Sequence, residues 1–219
     1  MERLEISAGE DGVRIGGFPD AVKVVELDGP EARRLGHLWL HKVDLDFAAD
    51  CLDDINRVPD RHRQKREALW RCAVVHYTKC FGVSKARFRL DAEKILRAEP
   101  LGLECHKFFI DLRNKHLVHD ENSYARCLPG ALINRGDKSY KVEKIACIAQ
   151  YVQTLDQENW NNLRVLVDKA HAWVSKEFDS ICERLTKTLE SEPYEGLLSR
   201  KAMTLTTTSR GEVGRTRDA

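Results

Sequence analysis

The sequence predicts a mainly α protein: a four-helix bundle with a small β-hairpin insertion and a short β-like N-terminal arm. Apolar residues recur three or four positions apart over several long stretches, and glycine or proline stands where most of these stretches end. Between two of the helical stretches, two runs of strand-forming residues flank Asn-Arg-Gly-Asp-Lys, which predicts the hairpin. The 219 residues are enough for one domain with a core and appendages.

Composition narrows the class of protein. The 36 Lys and Arg residues nearly balance the 35 Asp and Glu residues, so any basic surface has to be local. Seven cysteines without a C-x-x-C pair indicate reduced core thiols, not a disulfide framework or a zinc module. The N-terminus lacks the apolar region of a secretory signal, and no apolar run approaches the roughly 18 residues that cross a bilayer. We therefore expect a soluble cytoplasmic protein that has no membrane partner.

The N-terminal arm and the first helix differ sharply in pattern. Residues 1–29 alternate short apolar runs with glycine-rich turns, and a long helix then runs from Pro30 to about Arg57. The predicted apolar face of this helix carries Leu35, Leu38, Val43, Phe47, Cys51 and Ile55. Its predicted outer face is acidic through Asp44, Asp46, Asp50, Asp53 and Asp54. We interpret these aspartates as a solvated face, because no histidine stands at ligand spacing among them to suggest a metal site.

The second helix, about 61–81, is predicted to be basic on its outer side. Asp60 is placed to cap it, and Gly82 ends it. The predicted inner face carries Leu69, Cys72, Ala73, His76 and Cys80. The basic side carries Arg61, Arg63, Lys65, Arg66, Arg71 and Lys79. Two readings of that side stay open: a phosphate-binding surface, or the ion-pair partner of the acidic first helix.

A short helical piece, Asp91–Arg97, leads to the third main helix, Cys105–Asn122. The apolar stripe of this helix is expected to bury Leu101, Cys105, Phe108, Phe109 and Leu112.

The hairpin insertion is predicted at about 125–151, although Val142–Tyr151 is also compatible with a helix. The last helix is expected over about Leu155–Glu190, so that the bundle occupies residues 30–193. Residues 194–219 are rich in threonine, arginine and glycine, and we expect a mobile polar tail there.

Polar side chains gather at the end of the third main helix. Extending its apolar stripe reaches His116 and His119, and Arg113 and Asn114 lie at the edge of the same face. The Arg–His spacing alone is a weak signal, because four other such pairs occur in the chain. The context is different here: an asparagine follows the arginine, the apolar pair Leu117-Val118 precedes the histidine, and a polar loop follows.

These residue types suit RNA cleavage without a metal. Attack by a ribose 2′-hydroxyl on its own 3′-phosphate needs a base for the proton and a cation for the growing phosphate charge, which imidazole and guanidinium can supply. A packing role stays open, because a histidine favours a helix C-terminus and Arg113 can pair with Asp111 or Asp120. Metal binding by His116 and His119 is less supported, since two histidines make an incomplete ligand set. No cysteine has the His/Asn context of a nucleophile.

The run Asp111-Leu-Arg-Asn-Lys-His-Leu-Val-His119 resembles the signature of the HEPN superfamily. That signature is an arginine, a polar residue and then a histidine at the end of the third main helix of a four-helix bundle. The resemblance covers roughly residues 31–190 and implies a metal-independent endoribonuclease with RNA as substrate and with no cofactor. It also implies a toxin or abortive-infection defence effector, a homodimer and a cognate antitoxin protein as a partner.

Carried over by position, the resemblance makes Arg113 and His119 the catalytic pair and Asn114 the accompanying polar residue. His116 has no assigned family role. His116 and three basic residues of the second helix are candidates for substrate binding. The four candidates are His116, Arg63, Arg66 and Arg71. The alternative function is a catalytically silent HEPN-like bundle that serves as a protein-interaction or nucleotide-binding module.

Overall fold

The computed structural model describes residues 5–9, 12–119, 121–205 and 208–216. The mainly α prediction is confirmed, since the chain is about 55% helical. The α-helices are α1 (Gly29–Arg57), α2 (Arg63–Lys79), α3 (Ala92–Leu96), α4 (Gly102–Leu112), α5 (Gln157–Glu190) and α6 (Tyr194–Ser199). None of the helices in these ranges is both long and apolar enough to cross a membrane.

The strands form two separate antiparallel hairpins. Strand β1 (Ile6–Gly9) pairs with β2 (Gly12–Ile15), and β3 (Ala125–Ile133) pairs with β4 (Val142–Tyr151). The second pair confirms the predicted hairpin insertion and excludes a helix over Val142–Tyr151.

The chain divides into two compact units, and the boundaries fall inside α1, inside α5 and in the segment between α2 and α3. Residues 43–82 and 89–173 form one unit, which we call the motif unit because it contains the Arg113–His119 segment. The remaining described residues form the terminal unit.

The buried face of α1 is only partly the predicted one. Leu38, Cys51 and Ile55 are buried as expected, but Val43 and Phe47 are 40% and 46% exposed. The buried positions follow a regular helical repeat of three and four residues: Leu38, His41, Leu45, Ala48, Leu52 and Ile55. The prediction missed this stripe because it contains a histidine. The Nε2 atom of His41 lies 2.9 Å from the Phe88 carbonyl oxygen, a hydrogen bond that makes burial of the ring tolerable.

Helix α2 is rotated relative to the predicted face. Cys72 is exposed and His76 is partly exposed, whereas the buried positions are Trp70, Ala73, Val74, Tyr77, Thr78 and Cys80. The large aromatic rings bury the most apolar surface, so they decide which side of the helix faces inward.

Part of the acidic side of α1 is paired with other helices within the motif unit, which corrects the expectation of a solvated face for Asp44, Asp46 and Asp53, whereas Asp50 is exposed as expected. Asp44 is only 5% exposed, and its Oδ1 atom lies 2.8 Å from His76 Nδ1 and 2.9 Å from Lys79 Nζ on α2. Asp46 pairs with His171 on α5. Asp53 on α1 also pairs with α5, through Arg164. A buried carboxylate needs such partners, because an unpaired charge away from water is costly.

His106 of α4 is packed against Tyr77 and Phe81, and this contact predicts a pH effect. Its Nδ1 atom is hydrogen-bonded to Tyr77 Oη at 2.8 Å, and burial lowers the pKa of His106 to about 4 from 6.5. As the pH falls below about 6.5, the unfolded chain takes up this proton first, so stability is lost down to about pH 4.

We expect His106 to account for roughly 1–3 kcal/mol of the unfolding free energy lost over that range. Urea denaturation at pH 7 and pH 4.5 measures it. The His106→Gln variant should lose less stability on acidification than the wild-type protein, and an equal loss in both would contradict the assignment.

In the terminal unit, chain segments near both ends pair with each other. Met203 N donates to Val24 O at 2.9 Å, and Glu26 N donates to Lys201 O at 2.8 Å. The structure therefore differs from the predicted polar tail: α6 forms directly after Pro193, and the next residues continue as a paired extended segment. The first of the short apolar runs expected in residues 1–29 is Leu4–Ser7, and its first residue lies outside the described residues.

Pro129 sits in the middle of β3, where a proline needs a particular position. Val152 N donates to Tyr124 O, so hydrogen-bonded pairs alternate from there and the Pro129–Cys147 pair is a non-hydrogen-bonded one. The proline nitrogen therefore faces the outer edge of the hairpin, where its missing N–H breaks no ladder bond and removes a donor from that edge.

Candidate functional site

The predicted site begins where α4 changes its hydrogen-bonding pattern. The α-helix ends at Leu112, and Arg113–Val118 forms a π-helical turn, so a continuous α-helix to Asn122 is not present. His119 follows the turn directly. In a π turn each N–H bonds five residues back, which changes the angular spacing of the side chains, and such turns occur frequently at functional sites.

The apolar end of α4 holds this turn in place. Phe109 and Leu112 are buried, and the Phe109 ring packs edge-on against Trp70 of α2 at 5.9 Å. Leu101, predicted to belong to the same stripe, is instead 70% exposed and precedes the helix with a left-handed φ of 59°. The buried contacts that hold the π turn therefore come from the four residues immediately before Arg113.

Arg113 is bound to its neighbour. Its Nη1 atom donates to Asn114 Oδ1 at 2.7 Å, and both side chains are partly buried. Asp111, one of the two ion-pair partners considered for Arg113, is bound by Lys107 instead, and that hydrogen bond holds the pKa of Asp111 below its usual range. Asp120, the other one, lies outside the described residues. Asn114 thus holds the guanidinium.

His116 connects the turn to a cavity. Its ring lies against Tyr124 at 5.6 Å, and its buried Nδ1 atom has no hydrogen-bond partner among the residues that the structure describes. The ring lines a cavity of about 490 Å³ beside α2, together with Arg63, Arg66 and Arg71. The four candidates for substrate binding therefore share one cavity, of a size typical of small-molecule sites.

The three arginines of this cavity are held differently. Arg66 Nη1 donates to the carbonyls of Ile55 and Val58 at 2.9 Å each, so Arg66 secures the end of α1. Arg71 Nε donates to Glu67, and Arg63 Nη2 donates to Gln153.

None of these recorded partners is an α1 aspartate. The α2 residues recorded as pairing with Asp44 are His76 and Lys79. The ion pairs of Arg66 and Arg71 are instead with Asp60 and Glu67, which also line the cavity.

Asp60, Gln64 and Glu67 also line the cavity beside the arginines, and the opposite part of its wall comes from a distant part of the sequence. Tyr151, Val152, Gln153 and Leu155 belong to the end of β4 and the segment before α5. Sequence reasoning missed them, because only the return of the hairpin brings them beside α2. The cavity lining does not include Arg113, Asn114 or His119, and His119 is exposed. Thus, among the motif residues, His116 is the one that reaches the cavity.

Within the described ranges, no group of three or more His, Cys, Asp or Glu side chains is arranged to hold a metal ion. Of the seven cysteines, Cys51 and Cys80 are buried and Cys72, Cys127 and Cys147 are exposed, so the expectation of core thiols is wrong for those three. Burial raises the pKa of Cys51 to about 11, which keeps it a thiol at neutral pH.

No known protein family, curated protein or solved structure matches this chain. The class that the coordinates define is a mainly α protein with two small β-hairpins.

Proposed function

We propose that the protein is a metal-independent endoribonuclease of the HEPN type, acting as a toxin or as an abortive-infection defence effector. One observation carries the proposal. The candidate residues Arg113, Asn114 and His119 lie in or directly after a π turn whose central residue, His116, lines an arginine-rich cavity. The fold part of the proposal is a four-helix HEPN-like bundle, to which the motif unit contributes α2, α4 with its π turn, and the parts of α1 and α5 that belong to it.

The proposed reaction divides the work between two side chains. His119 takes the proton of a ribose 2′-hydroxyl, whose oxygen attacks the adjacent 3′-phosphate. The bond from phosphorus to the 5′-oxygen breaks, and that oxygen leaves as a 5′-hydroxyl after taking up a proton. Arg113, positioned by Asn114, binds the non-bridging oxygens, where negative charge grows in the transition state.

The cavity has the chemistry to hold a flanking nucleotide. Val152 and Leu155 supply apolar surface against which a base can pack, and Arg63 and Arg71 supply cations for a phosphate. The unpartnered Nδ1 atom of His116 is left for a hydrogen bond to the ligand. Arg66 contributes mainly by holding the end of α1, since its Nη1 atom already donates to two carbonyls.

The proposal includes a homodimer in which two Arg113–His119 segments face each other, with RNA as substrate and a cognate antitoxin protein as partner. One arginine and one histidine form a sparse site, and a second copy across a two-fold axis doubles both groups.

The test is RNA cleavage in excess EDTA. We expect cleavage to continue, because Arg113 supplies the positive charge that a metal would otherwise provide. The new 3′ ends should be 2′,3′-cyclic phosphates, since the nucleophile is the RNA's own hydroxyl; end analysis of a labelled oligoribonucleotide detects them. Loss of cleavage in EDTA that Mg²⁺ or Zn²⁺ restores would contradict the proposal, as would products that carry 3′-hydroxyls.

The second candidate is a catalytically silent HEPN-like bundle, and the same cavity favours its nucleotide-binding form. The cavity includes neither Arg113 nor His119, so a nucleotide can occupy it without touching the proposed catalytic pair. Nucleotide binding in calorimetry, without any RNA cleavage, would favour this candidate over the enzyme.

A further inference from the structure

The β3–β4 hairpin has one face made almost entirely of apolar residues. Residues paired across the strands lie on the same face, and alternate residues along a strand share it. Ala125 pairs with Tyr151, and Ile133 pairs with Val142 beyond a bulge. This face, which we call the apolar face, carries Ala125, Cys127, Pro129, Ala131, Ile133, Val142, Ile145, Cys147, Ala149 and Tyr151. Its one charged residue is Glu143, the extra residue of the bulge, which alternation from Ile145 places at the loop end of this face.

The opposite face of the hairpin is mixed. Leu128 and Ile148 pair at its centre, but Arg126, Lys144 and Gln150 stand toward its two ends. The two faces therefore differ in chemistry although they belong to the same two strands.

The apolar face is left open to solvent. Tyr151 is 76% exposed, Ile133 69%, Ile145 67% and Val142 48%. A two-stranded hairpin is marginally stable by itself and needs a packed face. An exposed apolar patch of this size on a folded protein marks an interaction site.

The exposed area agrees with what a stable dimer uses. An extended residue has about 160 Å² of accessible surface, so ten residues that are about half exposed leave roughly 800 Å² on one chain. A standard specific interface buries about 800 Å² from each partner. Because the one charged residue, Glu143, is exposed at the loop end of the face, a second copy can cover the apolar residues while that carboxylate stays in water.

We propose that the apolar face of the β3–β4 hairpin packs against the apolar face of a second copy of this chain, forming a two-layer β contact across a two-fold axis. We expect face-to-face packing and not edge-to-edge strand pairing, because Pro129 removes an N–H donor from the outer edge of β3. Ala125 follows His119 by six residues, so the contact would belong to the same unit as the motif. The contact does not depend on RNA cleavage.

Two isoleucines of β4 provide a matched test by light scattering at tens of micromolar protein. Ile145 on the apolar face and Ile148 on the opposite face are 67% and 65% exposed. We expect wild-type protein to be a dimer, Ile145→Lys to raise the dimer dissociation constant roughly 100-fold or more, and Ile148→Lys to leave it nearly unchanged. A monomeric wild-type protein, or equal effects of the two substitutions, would overturn the proposal.

Thiol cross-linking tests the same contact without disturbing the fold. Cys127 and Cys147 are exposed on the apolar face, and replacing the exposed Cys72 of α2 by serine removes a competing thiol. A short bismaleimide should give covalent dimers of the Cys72→Ser protein, and the added Cys127→Ser and Cys147→Ser changes should abolish them. Absence of covalent dimers, persistence of dimers without these two thiols, or binding of monomers to lipid vesicles through Ile145 would overturn the assignment to a second copy.

Discussion

Replacing His119 by alanine should abolish RNA cleavage and leave the helical content unchanged. His119 is exposed and follows the π turn, so its removal takes nothing from the core. Loss of a general base typically lowers the rate by about 10²–10⁴-fold. Arg113→Ala should have an effect of similar size, and the double variant should be little worse than either, since both groups stabilise one transition state.

The measurement is cleavage of a fluorescent oligoribonucleotide, with far-ultraviolet circular dichroism to verify the fold. His62→Ala is the matched control, because His62 is an exposed histidine at the start of α2 and has no part in the motif. Full cleavage by a folded His119→Ala protein would refute the catalytic assignment. Loss of cleavage in the His62 control would show that the assay responds to any exposed histidine.

The largest effect on stability should come from Trp70→Ala. Trp70 is fully buried, its Nε1 atom donates to Thr154 Oγ1 at 3.0 Å, and its ring packs against Phe109. Truncation leaves a cavity and a buried hydroxyl without its donor, so we expect a loss of about 3–5 kcal/mol in the free energy of unfolding. Urea denaturation followed by circular dichroism measures the loss.

Trp39→Ala is the control for this prediction, because Trp39 is 41% exposed and packs against Phe178 at 5.7 Å. The free energy of unfolding should fall by less than half as much in Trp39→Ala as in Trp70→Ala. The loss in free energy of unfolding for Trp70→Phe should lie between the losses of these two variants. This substitution keeps an aromatic ring beside Phe109 but removes the donor to Thr154. Equal losses for Trp70→Ala and Trp39→Ala would contradict the role of Trp70 as a central core residue.

Single side chains explain where sequence reasoning about the helices failed. On α1, burial of His41 depends on the Phe88 carbonyl. Burial of Asp44 depends on His76 and Lys79 of α2. A polar residue read by itself predicts exposure, because burial without a partner is costly. The sequence pattern does not reveal that these partners exist.

The sequence by itself determined the mainly α class, the positions of the long helices and the hairpin, and the candidate residues Arg113, Asn114 and His119. These are local properties, set by apolar periodicity, by turn residues and by neighbours in the chain. Tertiary structure alone decided that Arg113–Val118 is a π turn and that His116 meets Arg63 and Arg71 in one cavity. It also decided that the hairpin leaves a whole apolar face exposed. Those features depend on which distant segments meet, and local periodicity carries no record of such contacts.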